Sequence, residues 1–207
     1  LGDIVRTFNL ALKRIVDILC SLIGLIILSP IFLIVSILIK TTMPGPIFFT
    51  QERVGKNKKV FRILKFRTMK VDKEAEESFD FSKDKDRLTW TGKFLRRYKI
   101  DELPQLINVL KGDMSLVGPR PTVMKQVEKY TSYEMKRLDM KPGMTGLAQV
   151  NGNVTLPWEQ RIKYDIEYIN KFSILLDFKI LFKTFAIVIF GEDKFKKEQA
   201  DLEESRS

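Results

Sequence analysis

The sequence contains no histidine and only one cysteine, Cys20, among its 207 residues. The lack of histidine excludes imidazole general bases, histidine metal ligands and catalytic pairs of serine or cysteine with histidine. Because Cys20 lies inside an apolar run, we expect no disulfide framework, no cysteine zinc site and no exposed cysteine nucleophile. Carboxylates, lysine, arginine and tyrosine are therefore left to carry any chemistry.

Two glycine-dependent nucleotide motifs are also absent. The glycine-punctuated stretch 141–152 matches neither the Gly-x-Gly-x-x-Gly pattern nor the P-loop, so it predicts neither a Rossmann nor a Walker site. The acidic stretch 70–89 lacks EF-hand spacing, and we interpret it as a mobile surface loop with a short helix.

The charge balance is strongly basic, with 36 lysine and arginine residues against 26 aspartate and glutamate residues and a net charge of +10. Such a balance is typical of proteins that bind phosphate-rich partners, which include nucleic acids, anionic lipid headgroups and nucleotide substrates. Composition alone does not choose among these partners.

A long apolar run covers residues 15–39. As a straight helix it would reach about 37 Å, enough to cross a hydrocarbon core of about 30 Å. A cleaved signal peptide is disfavoured, because the run is too long and no small-residue cleavage site follows it. Pro30 interrupts the run and breaks a helix, and the hydroxyl of Ser29 beside it is able to bond to the freed backbone. Since cations flank both ends, a re-entrant helix and a spanning helix stay open alternatives.

Short segments of regular structure are predicted after residues 43–46, which end the apolar run. Residues 47–54 and 59–69 have the pattern of two strands that the turn 55–58 joins as a β-hairpin. Cations and aromatics interleave on the second strand, which suits either a phosphate-binding face or a solvated edge. Helices are predicted over residues 91–98, 122–138, 157–170 and 174–190. The last of these suits the membrane interface, with a buried core helix as the alternative.

Two adjacent carboxylates, Asp101 and Glu102, precede Pro104 by three and two positions. Because proline is tolerated in the first turn of a helix, the spacing predicts a helix that starts at or just after Asp101, with Asp101 as its N-cap. The predicted helix ends near Lys111 and Gly112. A carboxylate at a helix N-terminus stays ionised, ready to bind a cation or attack an electrophile, although an ordinary N-cap has the same pattern.

An arginine between two prolines follows this helix, in the sequence Gly118-Pro119-Arg120-Pro121. The prolines fix φ on either side and restrict the backbone at Arg120, which holds its guanidinium in place. A fixed guanidinium suits phosphate or carboxylate. The alternative is an ordinary proline-rich turn with an exposed arginine.

Several motifs occur together and in order along the chain. They are the Ser29-Pro30 break, Lys65-Phe66-Arg67-Thr68-Met69, Asp101-Glu102-Leu103-Pro104-Gln105, Gly118-Pro119-Arg120-Pro121 and the stretch 142–152. With this ordered set, residues 13–190 resemble the bacterial sugar transferase family, the monotopic polyprenyl-phosphate phosphoglycosyl transferases. The chain is similar to the small form of the family, which is little more than the catalytic domain.

The resemblance implies a reaction in which a phosphosugar passes from a UDP-sugar to undecaprenyl phosphate, with release of UMP. It implies that Asp101 is the nucleophile and forms a covalent phosphosugar intermediate. Glu102 would position or deprotonate the acceptor, and Mg²⁺, with Asp101 as a ligand, would offset the charge of the diphosphate.

Further site residues also come from the resemblance. Arg120 would hold a phosphate group, and Lys65 and Arg67 would be further phosphate contacts. The other positions assigned to substrate binding in this way are Pro119, Pro121 and Gln149. The membrane helix would be re-entrant, with its break at Ser29 and Pro30.

Together these observations predict an α+β fold that is mostly helical, with a small β-hairpin and interfacial amphipathic helices. Residues 1–43 form the re-entrant membrane helix, residues 44–190 the catalytic domain and residues 191–207 a charged tail. The expected location is the cytoplasmic face of the bacterial inner membrane, where membrane lipids but not nucleic acid are partners. The sugar, the pathway and whether the chain forms a homo-oligomer stay open.

Two rival functions also fit the composition. A membrane-anchored basic module that binds anionic lipid or nucleic acid would explain the net charge of +10 and the strand of cations and aromatics. It would leave Asp101 and Glu102 unexplained, because adjacent carboxylates repel phosphate unless a metal intervenes. An inactive scaffold of a glycan assembly complex is the other rival.

Overall fold

A bent pair of N-terminal helices, a β-hairpin and a series of shorter helices build the structure, a computed structural model that describes residues 2–71 and 87–191. The predictions of an acidic loop over residues 70–89 and of a charged tail over residues 191–207 lie almost wholly outside these described residues.

Helices α1 (Gly2–Ile27) and α2 (Ser29–Thr42) form the bent pair, with an angle of 60° between them. Pro30 lacks the N–H that a continuous helix would direct to the carbonyl of Ile26, and the hydroxyl of Ser29 donates to that carbonyl instead at 2.8 Å. The predicted break is therefore confirmed. Within the described residues, no single helix is long and apolar enough to cross a membrane. Of the helices described, only α1 and α2 taken together have the length and the apolar composition for it.

The bent pair has one packed side and one exposed apolar side. On the packed side, Arg14 at the middle of α1 donates to the carbonyls of Val109 and Leu110 at 2.6 and 2.9 Å. The exposed side includes Cys20 and a set of large apolar side chains: Ile15, Leu19, Ile23, Ile27, Leu33 and Ile34. An apolar surface of this extent on a helix pair favours contact with lipid or with another protein.

The hairpin consists of β1 (Phe48–Val54) and β2 (Val60–Phe66), which pair antiparallel through a 3₁₀ turn at Lys56–Lys58. The hairpin prediction is confirmed, but the second strand ends at Phe66 and not at residue 69. Its partner strand starts at Phe48, so the continuous ladder stops at Phe66. Beyond it, Arg67 donates to the carbonyl of Ile47 at 2.9 Å, and Met69 forms only an isolated antiparallel bridge with Leu88.

Helix α3 (Trp90–Arg97) and helix α4 (Gln105–Lys111) follow, and a short parallel pair of strands, β3 (Ser115–Val117) and β4 (Gly143–Thr145), lies beside α4. The remaining helices are α5 (Met124–Val127), α6 (Ser132–Met135), α7 (Leu147–Val150), α8 (Trp158–Asn170) and α9 (Ile174–Phe190). The mostly helical α+β class is confirmed. The parallel pair was not predicted.

The prediction of one helix over residues 122–138 is wrong. The segment forms α5, α6 and a 3₁₀ turn at Lys136–Asp139. The break has a local cause, because Thr131 and Glu134 form a reciprocal capping box that starts a new helix.

Two buried clusters hold the middle of the chain in place. One joins Val35 and Ile39 of α2, and Met43 just after it, to Phe66 of the hairpin and Leu95 of α3. The other joins the inner face of β2 to the end of α4 through Phe61, Ile63, Val109 and Met114. The turn before α4 is thereby fixed between the bent helix pair and the hairpin.

Helix α9 is anchored on one side and exposed on the other. Its buried Asp177 pairs with Lys13 of α1 at 2.5 Å. On the opposite side the Phe182 and Phe185 side chains are 74% and 67% exposed, so α9 presents aromatic rings outward and is not a buried core helix.

Candidate active site

Asp101 and Glu102 lie in a 3₁₀ turn, Ile100–Glu102, which Lys99 precedes in the left-handed region with φ of 57°. Helix α4 begins only at Gln105, with Pro104 at the N-cap position. The prediction that Asp101 caps this helix is wrong.

Pro104 explains the tight turn. It has no N–H to donate to the carbonyl of Ile100, as an α-helix would require, so Leu103 donates to that carbonyl instead at 3.1 Å. The helix end was predicted correctly, because Gly112 follows Lys111 with φ of 93°.

Asp101 is a buried carboxylate with 7% of its surface exposed. Within the described residues, its side chain makes no hydrogen bond or salt bridge. Burial raises the pKa of Asp101 and the neighbouring Glu102 raises it further, although Lys65, Arg96 and Lys99 oppose these effects. This direction is opposite to that expected for a helix N-terminal carboxylate.

Glu102 is instead closely paired. One carboxylate oxygen accepts from Lys65 of β2 at 2.7 Å and from Arg120 at 3.2 Å. Burial alone would raise the pKa of Glu102, but the charges of Lys65 and Arg120 outweigh it and bring the pKa to about 2. Glu102 therefore stays ionised throughout the neutral range.

The loop that carries Arg120 is fixed by the parallel strands. Gly118 donates to the carbonyl of Thr145 at 2.8 Å, and Gly143 donates to the carbonyl of Pro119 at 2.9 Å. The approach is close, because a Cβ on Gly143 would lie 2.1 Å from the nitrogen of Gly118. Pro119 and Pro121 thus shape a loop whose arginine reaches the Asp101 turn.

A second arginine, Arg53 of β1, lies near Arg120. Burial lowers the pKa of Arg53 and the like charge of Arg120 lowers it further. Two guanidiniums held near each other favour an anion between or beside them. Sequence reasoning missed Arg53, whose only signal was a cation in the first strand of the predicted hairpin.

Arg67 contacts the backbone just before β1. Its guanidinium donates to the carbonyls of Met43 and Pro44, and so fixes the chain between α2 and β1. Gly45, with φ of 114°, leaves the space that this guanidinium needs. These interactions position Arg67, and its contact with a phosphate stays a prediction.

Gln149 lies on α7, behind the Arg120 loop. Both polar atoms of its amide are buried and have no hydrogen-bond partner among the described residues. Buried amides normally have hydrogen-bond partners, so the Gln149 amide has unused capacity to hydrogen-bond to a ligand or to water.

The site thus combines two carboxylates with a cationic wall. Lys65 and Arg120 contact Glu102, while Arg96, Lys99 and Arg53 contribute positive charge nearby. Within residues 2–71 and 87–191 there is no group of three or more carboxylates, cysteines or histidines arranged to hold a metal ion. An arrangement of this kind suits a substrate that brings phosphate oxygens to complete a metal's coordination.

Comparison with known proteins gives one family. Residues 8–191 match the profile described as bacterial sugar transferase. The chain is 44% identical over 184 residues to the UDP-glucose:undecaprenyl-phosphate glucose-1-phosphate transferase of Klebsiella pneumoniae. It is also 44% identical over 187 residues to an Aeromonas hydrophila protein named UDP-N-acetylgalactosamine-undecaprenyl-phosphate N-acetylgalactosaminephosphotransferase.

The relatives differ in length. The aligned regions cover 85% and 87% of this chain but only 40% and 44% of the Klebsiella and Aeromonas proteins, so the chain spans less than half of either. By contrast, the match to the uncharacterized sugar transferase EpsL of Bacillus subtilis, at 41% identity, covers 87% of this chain and 89% of that protein.

Proposed function

Because the chain belongs to the bacterial sugar transferase family, we propose that it transfers a phosphosugar from a UDP-sugar to undecaprenyl phosphate and releases UMP. The names of the Klebsiella and Aeromonas relatives support both substrate classes, since each name contains a UDP-sugar and undecaprenyl phosphate. The product is a lipid-linked diphosphosugar, the first membrane intermediate of a bacterial glycoconjugate.

Asp101 is the nucleophile in this proposal. One of its carboxylate oxygens attacks the β-phosphorus of the donor, and the bond from that phosphorus to the oxygen of UMP breaks. UMP leaves, and an aspartyl phosphosugar remains. An oxygen of undecaprenyl phosphate then attacks the same phosphorus, and the bond to Asp101 breaks to restore the carboxylate.

The observation that carries this proposal is the contrast between the two adjacent carboxylates. Glu102 accepts from Lys65 and Arg120, whereas the buried side chain of Asp101 makes no hydrogen bond or salt bridge within the described residues. A buried carboxylate with a purely structural role is normally paired. The lack of a partner leaves the Asp101 oxygens available for a substrate.

Glu102 acts through its two cations. A carboxylate whose pKa is about 2 is a weak base, so it is poorly suited to deprotonate the acceptor. We assign it to the alternative role, in which it holds Lys65 and Arg120 where they contact substrate phosphates.

Magnesium fits the site as a partner of Asp101 and the donor diphosphate. Mg²⁺ is typically bound through one or two carboxylates together with substrate phosphates, and Asp101 supplies one such carboxylate. When bound, the ion offsets the negative charge of the diphosphate.

The bent helix pair is proposed to enter the cytoplasmic face of the inner membrane and return to it. Gly24 on α1 packs near Leu106 of α4, and Ile100 packs on the α2 cluster, so α2 contacts the turn that holds Asp101 and α1 contacts the helix that follows it. The exposed aromatic side of α9 lies at the membrane interface. These contacts would bring the nucleophile to the level at which a phosphate on an isoprenoid chain is found.

The test is UMP release from a panel of UDP-sugars with Mg²⁺ and undecaprenyl phosphate. We expect Asp101→Asn to abolish turnover without changing the fold, whereas Asp139→Asn, which removes an exposed carboxylate, keeps it. Incubation of the wild type with donor alone should add the mass of one phosphosugar to Asp101.

Substantial UMP release by Asp101→Asn, or failure to find that adduct, contradicts the proposed nucleophile. A basic lipid-binding module or an inactive scaffold would release no UMP with any donor. The same panel identifies the sugar.

A further inference from the structure

The Arg120 loop is held through its carbonyl oxygens. Pro119 and Pro121 have no N–H to donate, so hydrogen bonds to this segment must use other groups. Upstream, the carbonyl of Pro119 accepts from the backbone of Gly143 at 2.9 Å. At Arg120 itself, the carbonyl accepts from the side chain of Arg137 at 3.1 Å. One anchor of the loop is therefore a side chain 17 residues further along the chain.

Arg137 is itself firmly fixed, with 5% of its surface exposed. Its Nε and Nη2 bind one oxygen of Asp165 at 2.8 and 2.7 Å, and its Nη1 donates to the hydroxyl of Tyr130 at 2.5 Å. The guanidinium also lies over the rings of Tyr130 and Trp158, at 5.7 and 5.1 Å from their centroids. Contacts in this many directions leave the Nη2 that reaches Arg120 little freedom.

Asp165 on α8 is 2% exposed, and its second carboxylate oxygen has no hydrogen-bond partner within the described residues. Burial raises the pKa of Asp165 to about 6, against the opposing charges of Arg137 and Arg161. Burying a carboxylate destabilises a fold unless an opposite charge pairs with it. The group it faces is Arg137.

Tyr130 extends the same network to the other side of the loop. Its hydroxyl lies 2.9 Å from the hydroxyl of Thr122, whose carbonyl accepts from the backbone of Val54 at 2.8 Å. Arg53, the second arginine near Arg120, precedes Val54. The network therefore reaches the backbone at both arginines.

We infer that Arg137 and Asp165 are positioning residues that fix the backbone of Arg120 and so direct its guanidinium to Glu102 and a substrate phosphate. The inference rests on the proposed function for the identity of that phosphate. A planar guanidinium that binds Asp165, Tyr130 and a carbonyl together is required, because the point charge of lysine does not reproduce this fork.

The experiment compares kcat/KM for the UDP-sugar donor in Arg137→Lys and Asp165→Asn with the wild type. We expect a loss of about 100-fold, the size typical of a misplaced catalytic contact. In an Arg120→Ala background, the same substitutions should add less than about 3-fold, because no guanidinium is left to direct. Ile166→Val, a packing change on the same helix, should keep kcat/KM within about 2-fold in both backgrounds.

Tyr130→Phe keeps the ring contacts but removes the hydroxyl, so it tests the network if Arg137→Lys does not fold. It should lower kcat/KM in the wild type and have little effect in Arg120→Ala. If Arg137→Lys and Asp165→Asn lower kcat/KM by the same factor in the Arg120→Ala background as in the wild type, the inference is overturned and the proposed function is not. Wild-type activity of Arg120→Ala would instead overturn the proposed role of Arg120, and the inference with it.

Discussion

At the scale of single residues, the two adjacent carboxylates have opposite electrostatic environments. Glu102 contacts two cations, which bring its pKa to about 2, while burial and Glu102 raise the pKa of Asp101. Environments that separate the pKa values of neighbouring acids are typical of sites where each acid has its own role. The two residues differ in contacts although the sequence places them side by side.

The low pKa of Glu102 has a consequence for stability. Because the folded pKa lies below the ordinary value of 4.5, ionised Glu102 stabilises the fold above pH 4.5, and this contribution is lost as the pH falls towards 2. The shift corresponds to about 3 kcal/mol. The difference in the free energy of unfolding between wild type and Glu102→Gln should therefore be largest near neutral pH.

This difference is measured by denaturant unfolding in detergent at a series of pH values. Glu128→Gln, which removes a carboxylate from the exposed surface, should show no comparable loss. A difference that grows as the pH falls below 4.5 would contradict the assignment.

The raised pKa of Asp101 predicts the pH dependence of the first chemical step. In the proposed reaction the attacking carboxylate of Asp101 must be ionised, so the rate of adduct formation should fall on acidification with an apparent pKa above the ordinary value of 3.8. Adduct formation with donor alone is the measurement to use, because the phosphate of the acceptor itself titrates near pH 6. An acid limb at or below pH 3.8 would mean that Asp101 is not so perturbed.

At the scale of elements, close backbone contacts position the helices around the site. Helix α3 meets the end of the hairpin at Gly92, where a Cβ would lie 1.9 Å from the carbonyl oxygen of Thr68. Next to this contact, Arg96 donates to the hydroxyl of Thr68 at 3.0 Å. The glycine therefore sets the distance between α3 and the strand that carries Lys65.

Gly92→Ala should separate these two elements. We expect it to lower the free energy of unfolding by about 3 kcal/mol, because the carbonyl of Thr68 is backbone and has little room to move. UMP release should fall with it. Lys93→Ala, an exposed change on the same helix, should stay within about 0.5 kcal/mol of the wild type. Equal stability of the two variants would refute this account.

Elements with local signals were predicted from the sequence. Pro30 located the bend, the turn 55–58 located the hairpin, and Pro157 followed by Trp158 located the start of α8, which ends at Asn170 as predicted. The parallel pair of strands was missed, since each strand has three residues and the pairing depends on contacts distant in sequence.

In the site, too, residues within local motifs were predicted and contacts between distant residues were not. Sequence motifs contained Asp101, Glu102, Lys65 and Arg120, and the structure brings the last three into direct contact. Arg67 shares its motif with Lys65, and the structure shows it donating to backbone carbonyls just before β1. The link between Arg137 and Asp165 spans 28 residues and has no local pattern, so only the folded chain reveals it.

At the scale of the whole molecule, the proposed function makes the orientation of the bent pair in a membrane decide how the site would reach its acceptor. In a Cys20→Ser background, Thr7→Cys and Thr41→Cys place single thiols at exposed positions near the two ends of the pair. If the pair is re-entrant, an impermeant maleimide should label both from the cytoplasmic face of inverted vesicles.

Labelling of the two thiols from opposite faces would establish a spanning arrangement. Replacement of Pro30 by alanine restores the missing N–H, so we expect it to straighten the pair and shift labelling towards opposite faces. UMP release should then fall, because α2 contacts the turn that holds Asp101 and α1 contacts the helix that follows it.

The exposed thiol on the outer side of α1 gives this chain a native spectroscopic handle. Cys20 has no second cysteine to compete with it, so a nitroxide attached there reports from one known place. Its collision rates with dissolved oxygen and with a water-soluble nickel chelate measure immersion directly. With no other substitution in the chain, one series of spin-label spectra on reconstituted protein thus measures how deeply α1 lies in the bilayer.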